Sequence, residues 1–158
     1  MENASDFSQP MVFFAEDDDD FLYIVRHALD QIRSGEIVKP VGSFGELMKC
    51  LGSGEYPHLI ILDLNTSPND WRGALRNLRG DKRCKNIPIV ILSAFIEQDD
   101  IDLCESYGCA CIRKPESFEG WKTCLEEIIR TNFTLGVSER NLMSYPPPLV
   151  NEFVFFPG

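Results

Sequence analysis

Four apolar runs in this chain each close on a polar group. Glu16-Asp17 follows Met11-Val12-Phe13-Phe14-Ala15, and Asp63 ends Leu59-Ile60-Ile61-Leu62. Ser93 ends Ile89-Val90-Ile91-Leu92, and Lys114 follows Ala110-Cys111-Ile112-Arg113. Taken together these groups suit phosphoryl transfer to a carboxylate. Asp63 would be the nucleophile that attacks phosphorus and becomes an acyl phosphate. A hard cation is needed to draw charge from the phosphoryl oxygens, and Mg²⁺ prefers oxygen ligands while keeping several waters. Glu16, Asp17 and Asp63 would supply carboxylates to it, and the backbone carbonyl of Asn65 a fourth protein ligand. Lys114 would add fixed positive charge and Ser93 a hydroxyl on the far side of the phosphoryl group.

Each group also has a plainer reading. An acidic run is commonly a solvated helix start, Asp is common at caps and turns, Ser after a strand is a turn residue, and Lys-Pro is a surface turn. What raises the joint reading is position, which depends on the elements that carry the groups.

A continuous apolar run bounded by turn residues fits a strand buried on both faces, as in parallel sheets. Residues 11–15, 58–63, 89–93 and 110–113 read this way, and Ile37-Val38 is a short fifth candidate. Between them lie helical patterns. Leu22, Val25, Leu29 and Ile32 share one face, with Asp18 or Asp19 as cap. Ser43 caps a second helix to about Leu51. A third runs from about Asp70 to Arg79, with Arg72, Arg76 and Arg79 on a basic face that reads as solvated. A fourth spans Asp99 to Tyr107. Ser117 caps the last, which runs to about Asn132 with Trp121, Leu125, Ile128 and Ile129 inward. Strand and helix thus alternate five times, the pattern of a parallel sheet with helices on both faces. All strand carboxyl ends then lie on one edge, so groups far apart in sequence converge there.

Acids outnumber bases 25 to 15, a net charge of −10, which argues against a nucleic-acid surface and fits an acidic, cation-holding cluster. The six cysteines (Cys50, Cys84, Cys104, Cys109, Cys111, Cys124) are scattered, with no CxxC pair, so reduced thiols in a cytoplasmic protein are expected rather than a zinc site or a disulfide framework. Neither a signal peptide nor a membrane-spanning run is seen. Three parts are expected: a polar lead-in at 1–10, one domain at 11–132, and a tail at 133–158. The tail holds Tyr145-Pro146-Pro147-Pro148 and the apolar Phe153-Val154-Phe155-Phe156. It is either a loose extension or, as the apolar run favours, a segment that docks on this domain or a neighbouring chain.

The stretches Val12–Asp18, Leu59–Asn65, Ile87–Ala94 and Ile112–Pro115 resemble the signature positions of response-regulator receiver domains in two-component signalling, over about residues 10–132. The resemblance implies an α/β fold, a five-stranded parallel sheet in the flavodoxin-like order 2-1-3-4-5 with helices on both faces. It implies Asp63 as phosphoacceptor, Asp17 as direct metal ligand, Glu16 as an acid acting through a metal-bound water, Asn65 as carbonyl ligand, Ser93 as switch hydroxyl and Lys114 as the family lysine, with Mg²⁺ as cofactor. The Lys114-Pro115 bond is often cis in such domains. The implied protein is a stand-alone or adaptor signalling domain rather than an enzyme. Its partners would be a sensor histidine kinase or phosphotransfer protein and a downstream protein target, without nucleic acid or membrane, and with room for a homodimer. Two departures stand out. Cys111 replaces the Tyr or Phe that swings inward on phosphorylation, and Trp71 replaces a Gly that commonly opens the third helix.

Two other functions compete. A haloacid-dehalogenase-type phosphatase also uses an aspartate nucleophile, Mg²⁺, a Ser/Thr and a Lys. It needs a general acid two residues after the nucleophile, where this chain has Asn65, which cannot protonate a leaving group. A receiver-like binding module that is never phosphorylated is the other alternative, suggested by Cys111.

Overall fold

A computed structural model describes residues 10–16, 18–32, 37–64 and 71–133 of the chain. The expected lead-in and tail, together with Asp17 and Asn65, lie outside the described residues. Five strands and five helices alternate: β1 (Met11–Ala15), α1 (Asp19–Ile32), β2 (Ile37–Val41), α2 (Phe44–Gly52), β3 (Leu59–Asp63), α3 (Trp71–Gly80), β4 (Ile89–Ser93), α4 (Gln98–Ser106), β5 (Ala110–Arg113) and α5 (Phe118–Phe133). The strands form one parallel sheet in the order β2-β1-β3-β4-β5. This is the order that the resemblance implies.

Alternation along each strand sends successive side chains to opposite faces, and two cores result. Phe14, Leu59, Ile61, Val90, Leu92 and Ile112 pack against Val25 and Leu29 of α1 and Trp121, Leu125 and Ile128 of α5. Phe13, Ile60, Leu62, Ile89, Ile91 and Cys111 pack against Leu47 and Leu51 of α2, Leu75 and Leu78 of α3 and Cys104 of α4. The central strands β3 and β4 are buried along their whole length, which is why they read as unbroken apolar runs.

Helix starts follow the local chemistry. The Asp18 Oδ1 accepts from the Asp20 and Phe21 amides at 2.9 and 3.2 Å. Ser43 caps α2 by accepting from Glu46 N at 3.1 Å, and Glu46 Oε2 accepts from Gly42 N at 2.6 Å. Ser117 Oγ accepts from Gly120 N at 3.0 Å ahead of α5. Each satisfies amides that a helix start leaves without partners.

Three expectations need correction. β2 does not stop at Val38 but continues through Lys39-Pro40-Val41, pairing in register with Phe13, Phe14 and Ala15. It is an edge strand, where a proline can sit without removing a sheet hydrogen bond. Arg79 is not part of a solvated basic face. Its Nε donates to Tyr107 O at 2.9 Å, Nη1 to Lys85 O and Ile87 O at 3.1 and 2.8 Å, and Nη2 to Cys109 Sγ at 3.5 Å. One guanidinium thus ties α3 to the segment before β4 and to the turn before β5, a use that its fixed fork of donors permits. Among the described residues no peptide bond is cis, Lys114-Pro115 included.

All six cysteines are free thiols. Five are fully buried, and Cys104 and Cys111 share a hydrogen bond that, with burial, pushes the Cys104 thiol up. Among the described residues no helix is long and apolar enough to cross a membrane.

Candidate functional site

The parallel order puts the carboxyl ends of β1, β3, β4 and β5 side by side, and the polar groups identified above stand there. Asp63 ends β3 with its side chain completely buried. Glu16 follows β1 and is 4% exposed; its amide donates to Val41 O at 3.1 Å, which keeps the end of β1 against β2. The Glu16 Oε1 accepts from Asp18 N at 3.1 Å. Burial, and then a hydrogen bond shared with Asp63, raise the Glu16 carboxyl from its ordinary value of 4.5 to about 8. Two carboxyl groups this close do not both ionise readily unless a cation joins them.

Lys114 supplies one positive charge. It follows β5, and its amide donates to Ser93 O at 2.9 Å, which extends the β4–β5 ladder to the lysine itself. Its Nζ donates to Asp63 Oδ2 as a largely buried ion pair. The ammonium also lies over the Phe21 ring, 4.6 Å from its centroid.

Ser93 ends β4 and is buried, but its hydroxyl turns toward its own loop. It donates to Phe95 O at 2.6 Å and accepts from Phe95 N at 3.3 Å. Phe95 itself is 86% exposed. Asp63, Glu16 and Lys114 are thus brought together, while Ser93 stands at the neighbouring strand end with its hydroxyl engaged elsewhere. Asp17 and Asn65 lie outside the described residues.

Among the described residues no group of three or more His, Cys, Asp or Glu side chains forms a metal cage. The pair that is described, Glu16 with Asp63, still fits a hard divalent cation. Both are oxygen donors, both are buried at a sheet edge, and the burial and shared hydrogen bond that hold the Glu16 carboxyl up mark a place where a bound cation would favour the ionised form.

Phe21 is a site residue that sequence reasoning missed. It stands in the first turn of α1 just ahead of the Leu22, Val25 and Leu29 stripe, and nothing in the spacing announces a ring beneath a lysine that comes from the far end of the domain. Cys111 is fully buried beside Cys104, so no aromatic side chain occupies that position of β5.

An open five-stranded parallel sheet in this order, with acids and a lysine converging at its carboxyl edge, defines the receiver class of fold. Solved structures agree. The phosphorylated cyanobacterial phytochrome response regulator RcpA superposes with a TM-score of 0.72 at 26% identity, over 82% of this chain and 98% of that one. The Mn²⁺-bound response regulator Rcp1 gives 0.68 at 20% identity, over 87% and 99%. The chemotaxis response regulator CheY4 of Vibrio cholerae gives 0.62 at 18% identity, over 77% and 99%. Among curated sequences, the probable methanogenesis regulatory protein FilR2 of Methanothrix harundinacea is 31% identical over 78 residues, 49% of this chain and half the length of that protein. No family sequence profile matches the chain. The chain has the fold of a response-regulator receiver domain.

Proposed function

We propose that this chain is a phosphorylation switch in which Asp63 accepts a phosphoryl group from a histidine kinase or a phosphotransfer protein. The observation that carries the reading is the buried Asp63 carboxylate, hydrogen-bonded by Lys114 and flanked by Glu16 at the open edge of the sheet. The Asp63 oxygen attacks phosphorus, the bond from phosphorus to the donor's nitrogen or oxygen breaks, and the donor leaves with that electron pair. Lys114 is placed to follow the charge from the carboxylate to a phosphoryl oxygen. Bound Mg²⁺ would neutralise the phosphoryl oxygens, with Glu16, Asp17, Asp63 and the Asn65 carbonyl as its protein ligands. That RcpA is described as phosphorylated and Rcp1 as Mn²⁺-bound supports the analogy.

Ser93 takes part by exchange. Its hydroxyl leaves the Phe95 carbonyl for a phosphoryl oxygen, and the loop before α4 rearranges. The unit responsible is residues 11–132, in a cytoplasmic setting, acting on a downstream protein.

Incubation with acetyl phosphate and Mg²⁺ followed by intact-mass measurement tests this. The wild type should gain one phosphoryl group, and Asp63→Asn or a Mg²⁺-free sample should gain none. Absence of the gain in the wild type, or an equal gain in Asp63→Asn, removes the reading. One observation favours a second reading, a binding module that is never phosphorylated: Cys111 is locked against Cys104, and no aromatic is there to swing.

A further inference from the structure

We infer that Phe21 is a positioning residue for Lys114, holding the ammonium over the site through the face of its ring. The functional consequence rests on the phosphoacceptor reading above. A lysine ammonium is a compact charge on a flexible stem, and one hydrogen bond fixes its distance to Asp63 without fixing its direction. The Phe21 ring, 4.6 Å from Lys114 Nζ, provides a second anchor. An aromatic face attracts a cation by its quadrupole, and the attraction strengthens as water is excluded.

The ring is itself held. Its centroid lies 4.8 Å from that of Trp121 in an edge-on contact at 79°, and 5.9 Å from that of Phe14. Trp121 and Phe14 are buried on α5 and β1. The Phe21 amide donates to the capping Asp18 carboxylate at 3.2 Å, so the first turn of α1 sets where the ring begins. Three elements, α1, α5 and β1, therefore fix a ring whose face meets the lysine that touches Asp63. Attraction to a ring face also tolerates sliding. When a phosphoryl group replaces the bare carboxylate as the partner, the ammonium can move outward by a bond length or so without leaving the ring.

The test compares Phe21→Leu, which keeps apolar bulk but loses the π face, with Phe21→Tyr, which keeps it, both in the full chain. Phosphorylation by acetyl phosphate should slow about three- to tenfold in Phe21→Leu, the size of an ordinary cation–π contact. It should stay near wild type in Phe21→Tyr, with half-saturation by Mg²⁺ unchanged in both. Independently, NMR of the lysine ammonium groups should show a ring-current upfield shift for the Lys114 signal, identified by its loss in Lys114→Arg. The shift should persist in Phe21→Tyr and vanish in Phe21→Leu. Wild-type rates in Phe21→Leu overturn the inference, as does equal slowing in both variants with a shifted Mg²⁺ half-saturation, which marks a packing effect. If the wild type takes up no phosphoryl group, the phosphoacceptor reading fails and the ammonium shift alone decides the positioning claim. Should Phe21→Leu not fold, Phe21→Met is judged by the same criteria.

Discussion

Lys114 reaches Asp63 across an intervening strand. Asp63 ends β3 and Lys114 follows β5, with β4 between them, a separation of about 9.5 Å at ordinary strand spacing. Only a long cationic side chain spans that gap, and the carboxylate it meets has no exposure to water of its own.

Removing the amine should therefore leave a buried charge beside Glu16 without its ammonium counter-ion. Lys114→Ala is expected to lower stability by about 1–3 kcal/mol, less than for a deeply buried pair because the lysine itself is partly exposed. Millimolar Mg²⁺ should recover part of the loss. Urea unfolding with and without Mg²⁺ measures both, and an unchanged midpoint in the variant contradicts the expectation.

The Glu16 carboxyl gives the cation-free protein a pH dependence of definite sign. Unfolded, it loses its proton near 4.5, and folded it keeps it to about 8. Between these values the folded chain binds more protons, so this contribution is fully present below about pH 4.5 and is lost as pH rises through about 8. In EDTA, the melting temperature should fall across that window, and Glu16→Gln should flatten the fall. A Mg²⁺-saturated sample should not show it.

Arg79 is a structural clamp, and lysine cannot replace it. Arg79→Lys should cost about 1–3 kcal/mol, because one ammonium cannot serve the Lys85, Ile87 and Tyr107 carbonyls together. Hydrogen exchange should quicken at 85–87 and 107–109 ahead of the rest of the domain. Uniform quickening everywhere would contradict a local clamp.

Ser93→Ala should free the turn at Phe95, costing about 0.5–1.5 kcal/mol and speeding exchange of the Phe95 amide. Ser93→Thr keeps the hydroxyl and should restore both. Equal exchange in the wild type and in Ser93→Ala would show that the hydroxyl does not hold this loop.

The fold is largely legible in the sequence because parallel strands buried on both faces must be apolar throughout, as 59–62 and 89–92 are, and because Asp18, Ser43 and Ser117 mark helix starts by local chemistry alone. Asp63, Glu16 and Lys114 can be brought together on the same grounds, since a parallel sheet gathers its carboxyl ends. Errors arise where a residue's role depends on what lies across from it. Helical spacing puts Arg79 one turn on from Leu75, at the flank of the Leu75 and Leu78 face, but does not show that two loops arrive there. Pro40 looks like a terminator until the strand proves to be at an edge. The orientation of the Ser93 hydroxyl, and the ring under Lys114, depend on tertiary geometry that no local pattern records.

Pro40 has a further consequence for how this sheet meets its own copies. The Glu16 amide donates to Val41 O, so Val41, and Lys39 two residues before it, turn their backbone groups inward to β1. Val38 and Pro40 therefore face outward, and Pro40 has no amide hydrogen to offer. A strand from a second molecule laid along β2 would find, within Ile37–Val41, a single outward donor, from Val38, where a growing ladder needs successive ones. The margin is thus guarded against runaway lateral polymerisation by one imino acid, at no cost to the pairing within.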